Sequence, residues 1–158
     1  MKFDNYMILE FPSKSTNEAF ARSAVACFAA QMDPTLEELG DIRTAVSEAV
    51  TNCIVHAYPD SYGMITLRCR VLKDHILDIV IKDKGVGIAD IEQARRPMFT
   101  TGNSDRSGMG FTIMESFMDE VEIESVLGLG TKIKMKKMIK KVPLDDEETE
   151  ELMSLGGR

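Results

Sequence analysis

The spacing of apolar residues changes from segment to segment along this chain, and each change marks an element. "NYMILEF" (5–11) alternates loosely and predicts a strand. In "EAFARSAVACFAAQM" (18–32), Phe20, Ala24, Val25, Phe28 and Met32 fall on one helical stripe that leaves Glu18 and Arg22 toward water, with caps on offer from Ser13 to Asn17. "DPT" breaks the chain. A second helix is predicted from Leu36 to His56, its apolar side made by Leu39, Ile42, Val46, Ala49, Val50, Cys53 and Ile54, and "HAYPDSYG" stops it with proline and glycine.

"MITLRCRVL" then alternates strictly, so one of its faces is buried and the other wet. "HILDIVIKD" follows after a "KD" that suits a hairpin turn. "KGVGIADIEQARRP" predicts a glycine turn and a short helix ended by Pro97, "MFTTGNSDRSGMG" a polar loop, and "GFTIMESFMDE" another helix. "VEIESVLGLGTKIKMKKMI" closes the pattern with two strands around a glycine turn. Hairpins dominate and helices are interspersed. The expected fold class is therefore α+β, a two-layer α/β sandwich whose sheet is mixed but mainly antiparallel, with the helices on one face.

At 158 residues the chain suits one domain, and 44% hydrophobic with 28% charged residues is ordinary for a soluble globular protein. No apolar run approaches the roughly 20 residues that cross a bilayer, and "MKFDNYMILEF" lacks the apolar core of a signal peptide, so a cytoplasmic protein without membrane attachment is expected. Cys27, Cys53 and Cys69 are odd in number and set among apolar residues, which predicts reduced, buried thiols. A net charge of −7 excludes broad nucleic-acid binding and leaves proteins or small molecules as partners. The charge is uneven: six lysines lie in Lys132–Lys141 and six acids in Asp145–Glu151. The lysines predict a strand that faces water and resists edge pairing. The acids predict a solvated tail after Pro143, which divides the chain into a domain at 1–142 and a tail at 143–158.

Three stretches carry candidate chemistry. In "SEAVTNCIVHAY" (47–58), Glu48, Asn52 and His56 are four apart and share one side of a helix; this is either a polar boundary row or the wall of a cleft. These ligands are too few for zinc, whereas magnesium accepts an asparagine oxygen together with phosphates and water. In "DKGVG" (83–87) the glycines let backbone approach a flat ligand and Asp83 can accept from an exocyclic amine, although a turn alone would look the same. "RSGMGF" (106–111) opens a helix whose free N–H groups suit phosphate, or simply caps it, and it lacks the Gly-Lys-Ser/Thr of a P-loop.

Together, in this order and spacing, the three stretches resemble the N, G1 and G2 boxes of the GHKL (Bergerat-fold) ATPase superfamily, which includes gyrase-type topoisomerases, a heat-shock chaperone, sensor histidine kinases and mismatch-repair ATPases. Within it, "SEAVTNCIVHAY", "RRPMFTT" and "RSGMGFTIMESFMDEVEIES" are similar to the anti-sigma F family of spore formers, which are serine protein kinases. The resemblance implies ATP and Mg2+ as cofactors, with Asn52 as the metal ligand and Glu48 as general base. It implies that Asp83 takes the adenine amino group, that Thr131 supports that edge, and that Gly85 and Gly87 let the base lie on backbone. Thr100, Thr101, Arg106, Ser107, Gly108, Met109, Gly110 and Phe111 would belong to a lid over the phosphates, hinged at Gly102 and Gly108, with Arg106 reaching the outermost phosphate. His56 receives no role. "GNSD" (102–105) is shorter than the family's usual stretch there, and the tail follows no family motif.

The function so implied is an anti-sigma factor that binds a sporulation sigma factor and phosphorylates a serine on its anti-anti-sigma antagonist. Arg22 is the implied contact for both partners, and the implied assembly is a homodimer joined through the first strand and helix. Stress-response anti-sigma kinases share the boxes less closely. A detached histidine-kinase catalytic domain and a nucleotide-dependent binding module without transfer activity are the alternatives. A topoisomerase or repair role would require a second domain.

Overall fold

Strand alternation builds the sheet. The computed structural model describes residues 2–96, 109–140 and Ser154. In β2 (Met64–Leu72), Ile65, Leu67 and Cys69 are fully buried on one side; Leu77, Ile79 and Ile81 of β3 (Ile76–Asp83) and Ile133 and Met135 of β5 (Gly130–Met138) continue that inner surface. With β1 (Phe3–Pro12) and β4 (Glu120–Val126) these strands form a five-stranded sheet in the order β1-β2-β3-β5-β4. Every neighbouring pair is antiparallel. The parallel component allowed for by a mixed sheet does not occur among the described strands; β2–β3 and β4–β5 are joined by tight turns, and β1–β2 and β3–β5 pair antiparallel across longer connections. The first of these turns holds Asp74 and His75 in left-handed conformations, φ 64° and 58°.

Helices α1 (Thr16–Ala29), α2 (Leu36–Asn52) and α4 (Gly110–Phe117) pack their apolar sides on the inner face, as the class requires, and the short α3 (Ile91–Arg95) lies at its margin. The stripe of α1 is rotated from the predicted one. Ala21, Val25, Ala26, Ala29 and Met32 are buried, whereas Phe20 is 56% exposed and Phe28 only half-buried. Ala21, Ala26 and Ala29 of α1 and Ala45 and Ala49 of α2 are all buried between the packed elements, and small residues let two helix backbones approach closely. The same rotation leaves Cys27 exposed, contrary to expectation; Cys53 and Cys69 are buried. Burial, with the nearby Asp78 charge, pushes the Cys69 thiol up to about 12.

The outer face is uncovered by any described element. Arg70 grips the buried Asp78 through Nε and a terminal nitrogen at 2.9 and 2.8 Å. Lys132, Lys134 and Lys136 pair across to Glu120, Glu122 and Glu124 of β4. The lysine row therefore does not guard an edge: β5 is an interior strand, and its lysines neutralise the glutamates of the true edge strand beside it.

Helix α2 begins in a capping box, with the Thr35 hydroxyl accepting from Glu38 N and the Glu38 carboxylate accepting from Thr35 N. The second Glu38 oxygen takes the backbone N–H of Lys140, 2.9 Å away, and so anchors the chain beyond β5. Burial alone would raise this carboxyl, but the backbone N–H groups of Thr35 and Lys140 outweigh it and hold it below the usual glutamate value of 4.5. A depressed folded value stabilises above the unfolded value and is lost as pH falls through the folded one. Glu38→Gln should accordingly lower Tm at pH 7, at a cost of about 1 kcal/mol, and the gap to the parent protein should close in thermal melts toward pH 3.

Candidate functional site

Helix α2 is regular to Asn52 and then widens into a π turn over Cys53–Ala57. Glu48 and Asn52 stack one turn apart, as predicted. His56 lies beyond the change of pitch, so it does not extend their line. The first residue of α4, Gly110, is set against this pair: a β-carbon there would lie 3.1 Å from Glu48 Oε2, 3.4 Å from Asn52 Nδ2 and 3.6 Å from Asn52 Oδ1. Two stretches far apart in sequence are thereby brought to one place. Asn52 Nδ2 is buried and has no hydrogen-bond partner among the described residues. A buried amide donor in that condition is one that a bound group can complement.

The third stretch meets them through the π turn. The Ala57 carbonyl accepts from Val86 N at 2.9 Å. Gly85 sits so close that a β-carbon would be 2.1 Å from the same oxygen, and Gly87, at φ 77°, would place one 2.4 Å from the Val126 carbonyl. The glycines fit this loop between the end of α2 and the β4–β5 hairpin. Tyr58 clamps it from the other side, its hydroxyl donating to the Met64 carbonyl and accepting from Lys84 N, both at 2.8 Å. Burial raises the Tyr58 phenol, against the opposing pull of the Lys84 N–H.

Asp83 ends β3 at the floor of the cleft, 4% exposed. Its Oδ1 accepts from Gly85 N at 3.0 Å and Thr131 N at 3.2 Å, and the buried Cys53 thiol lies near the carboxylate. Burial, reinforced by the Asp83 charge, pushes that thiol far up, so it stays protonated. Thr131 is also buried, and its hydroxyl is 2.8 Å from that of Ser125. A carboxylate and a hydroxyl at the end of a strand, beside bare backbone, suit the amino edge of a planar base. Glu48, Asn52 and the start of α4 suit anionic oxygens with a divalent ion.

Glu48, Asn52, Asp83, Gly85, Gly87, Gly110 and Thr131 are thus brought together where the end of α2, the end of β3, the β4–β5 hairpin and the start of α4 meet. Met109, half-buried, caps α4, and Phe111 is buried in the core beneath it. Thr100, Thr101, Arg106, Ser107 and Gly108 lie outside the described residues, as do Pro97, Gly102 and the acidic tail. Arg22 is elsewhere, on α1, 36% exposed and paired with both Glu18 oxygens at 2.9 and 3.0 Å; Glu18 also receives the Ser47 hydroxyl. Sequence reasoning missed Cys53, Ala57, Tyr58 and Ser125 as parts of the site. Ser125 was within reach, because a hairpin centred on Gly128 pairs it with Thr131.

Among the described residues no group of three or more histidine, cysteine or acidic side chains could hold a metal. Magnesium needs only one or two protein oxygens beside phosphate and water, and the Asn52 amide fits that demand.

Residues 11–137 of this one-sided α/β sandwich match the family described as histidine kinase-like ATPase domain, which puts the chain in the class of ATP-binding ATPase domains. The chain is 56% identical over 140 residues to the anti-sigma F factor of Caldanaerobacter subterraneus subsp. tengcongensis, covering 88% of this chain and 97% of that one. It is 53% identical over 135 residues to the anti-sigma F factor of Clostridium acetobutylicum, covering 85% and 94%. The chain belongs to the histidine kinase-like ATPases and, within them, to the anti-sigma F factor family. The RsbU and RsbW domains of Rv1364c from Mycobacterium tuberculosis share the fold, with a TM-score of 0.64 and 15% identity over 87% of this chain and 33% of that one. A blue-light activated histidine kinase domain from Erythrobacter litoralis has a TM-score of 0.54 at 22% identity, over 77% of this chain and 60% of that one.

Proposed function

We propose that this anti-sigma factor is an ATP-dependent serine kinase that holds a sporulation sigma factor and phosphorylates a serine on that factor's antagonist. The observation that carries the reading is the position of Gly110 against both Glu48 and Asn52, which joins a base and an oxygen ligand to a helix start at one point. Asp83, with Thr131 beside it and Gly85 and Gly87 below, receives adenine. Asn52 holds the magnesium ion, which when bound neutralises the phosphate oxygens. Glu48, one helical turn away, accepts the proton of the incoming serine hydroxyl. Arg106, which lies outside the described residues, is proposed as the contact of the terminal phosphate.

The reading is tested by incubation with ATP labelled at the terminal phosphate and an antagonist bearing the serine. Label on serine supports it. Label on a histidine of this chain points instead to a histidine kinase domain, and no label at all to a nucleotide-dependent binding module.

Arg22 is proposed as the contact shared by sigma factor and antagonist. Glu18 and Ser47 hold it on the outer side of α1, where a partner can reach it. Arg22→Glu should weaken both associations by about thirtyfold or more in a titration with each partner; normal binding of both removes α1 from the account. We also propose a homodimer formed through β1 and α1 in the cytoplasm, with the kinase domain at 1–142 and the tail beyond it. β1 is an edge strand with exposed Phe3, Tyr6 and Ile8, and no described helix is long and apolar enough to cross a membrane. Sedimentation of the full chain reads the dimer directly.

A further inference from the structure

One lysine of the row in β5 turns away from the others. Lys132, Lys134 and Lys136 pair with glutamates on the outer face, whereas strand alternation puts Lys137 on the same side as the buried Ile133 and Met135. Its side chain is only 11% exposed. A cation so enclosed needs partners, and Lys137 has one on each of two helices. Nζ donates to the carbonyl of Phe117, the last residue of α4, at 2.7 Å and pairs with Asp41 Oδ2 of α2 at 3.3 Å. The first contact also sets positive charge at the negative end of α4.

The opposite end of this helix pair is the candidate site, where Gly110 stands against Glu48 and Asn52. Glu48 lies seven residues on from Asp41, and Phe117 lies seven on from Gly110. Both spans therefore rise about 10.5 Å. The helices run antiparallel and are matched in length between two contacts, one at the site and one at Lys137. Ala45 and Met114, both fully buried, lie near the middle of the two spans. Pivoting α4 about that buried middle moves its two ends together, so a displaced Phe117 is also a displaced Gly110.

We infer that Lys137 is a positioning residue for phosphoryl transfer: by tying the end of α4 to Asp41 it fixes the angle between α2 and α4, and with it the distance from the start of α4 to Glu48 and Asn52. The inference rests on the proposal that Mg-ATP places its phosphates at that start. Lys137 touches no ligand; it acts through the helix. The adenine end is held by different contacts, from Gly85 N to Asp83 and from Val86 N to Ala57, which do not involve α4.

Titrations of the full chain with Mg-ATP and with adenosine, beside single-turnover serine transfer at saturating Mg-ATP, test the inference. Lys137→Met keeps the stem but loses the donor and the charge. Transfer should fall about tenfold to a hundredfold, the cost of misplacing reacting groups by about 1 Å; Mg-ATP affinity should fall with it while adenosine affinity holds. Lys137→Arg should restore most of both losses. Asp41→Asn, which leaves the lysine on Phe117, should show the same pattern more weakly, and it decides the matter if Lys137→Met does not fold. Folded variants with a lower Tm but the parent's transfer rate and the parent's ratio of the two affinities overturn the inference and make Lys137 a stabilising ion pair alone. Equal loss of both affinities overturns it as well. A parent protein that binds Mg-ATP yet labels no serine removes the kinase reading, and the affinity ratio then decides on Lys137 by itself.

Discussion

Replacing Glu48 with glutamine should slow serine phosphorylation by about 10²–10⁴-fold, the usual weight of a positioned proton acceptor, while leaving Mg-ATP affinity within a factor of a few. The carboxamide has the same shape, so it preserves the contact with the start of α4, where a β-carbon on Gly110 would come within 3.1 Å of Glu48 Oε2. It cannot take the hydroxyl proton. Asn52→Ala should behave differently, because it removes the proposed magnesium ligand: binding and transfer should fall together. Single-turnover transfer measured beside calorimetric affinity distinguishes the two. A Glu48→Gln protein working at the parent rate would leave the reaction without its assigned base.

Gly85→Ala should abolish measurable ATP binding and lower Tm as well. Its β-carbon would lie 2.1 Å from the Ala57 oxygen and 2.5 Å from the Ala57 carbonyl carbon. Both are backbone atoms, so no rotamer change relieves the overlap. The loop has to withdraw from the π turn, which breaks the Val86 N–Ala57 O hydrogen bond and pulls Gly85 N from Asp83. An overpacking cost of about 1–3 kcal/mol corresponds to roughly 2–12 °C for a chain of this size. Gly40→Ala is the matched control, since it lies within α2 and nothing stands within 4 Å of the added carbon; it should stabilise by up to about 1 kcal/mol and leave ATP binding alone. Circular-dichroism melts and nucleotide titration of the pair read both effects.

The strands were legible because a half-buried strand writes its burial into alternate positions, and "MITLRCRVL" does so at Ile65, Leu67 and Cys69, until the alternation breaks at Val71 and Leu72. The ends of the elements were nearly as clear, since proline and glycine mark them. The rotation of α1 was not legible. Which stripe of an alanine-rich helix is buried depends on the helix facing it, and Phe20 and Phe28 outweigh alanines in a hydrophobicity pattern even though close approach favours the alanines. The place of the lysine row was lost for a related reason: strand order, which puts β5 inside the sheet, is not written in any one strand. Within the candidate site, the residues proposed to carry the chemistry were visible by side-chain type and spacing. The supports did not: Ala57 acts through its carbonyl, Cys53 looks like any core thiol, and the π turn that aims both has no distinct signature.

Arg22 illustrates the remaining gap. As a basic residue on the outer side of a helix it was visible, but its pairing with Glu18, and the tie from Glu18 to Ser47 beside Glu48, required three-dimensional proximity between α1 and α2.

The central claim is that the ends of α2, β3 and the start of α4 enclose one nucleotide. A crystal structure of the full chain with magnesium and a non-hydrolysable ATP analogue tests it most directly. The account predicts the purine amino group on Asp83, the base against Gly85 and Gly87, and the phosphates between Asn52 and Gly110, with the terminal phosphorus facing Glu48. A nucleotide bound on the outer sheet face, or with its base turned away from Asp83, would contradict it.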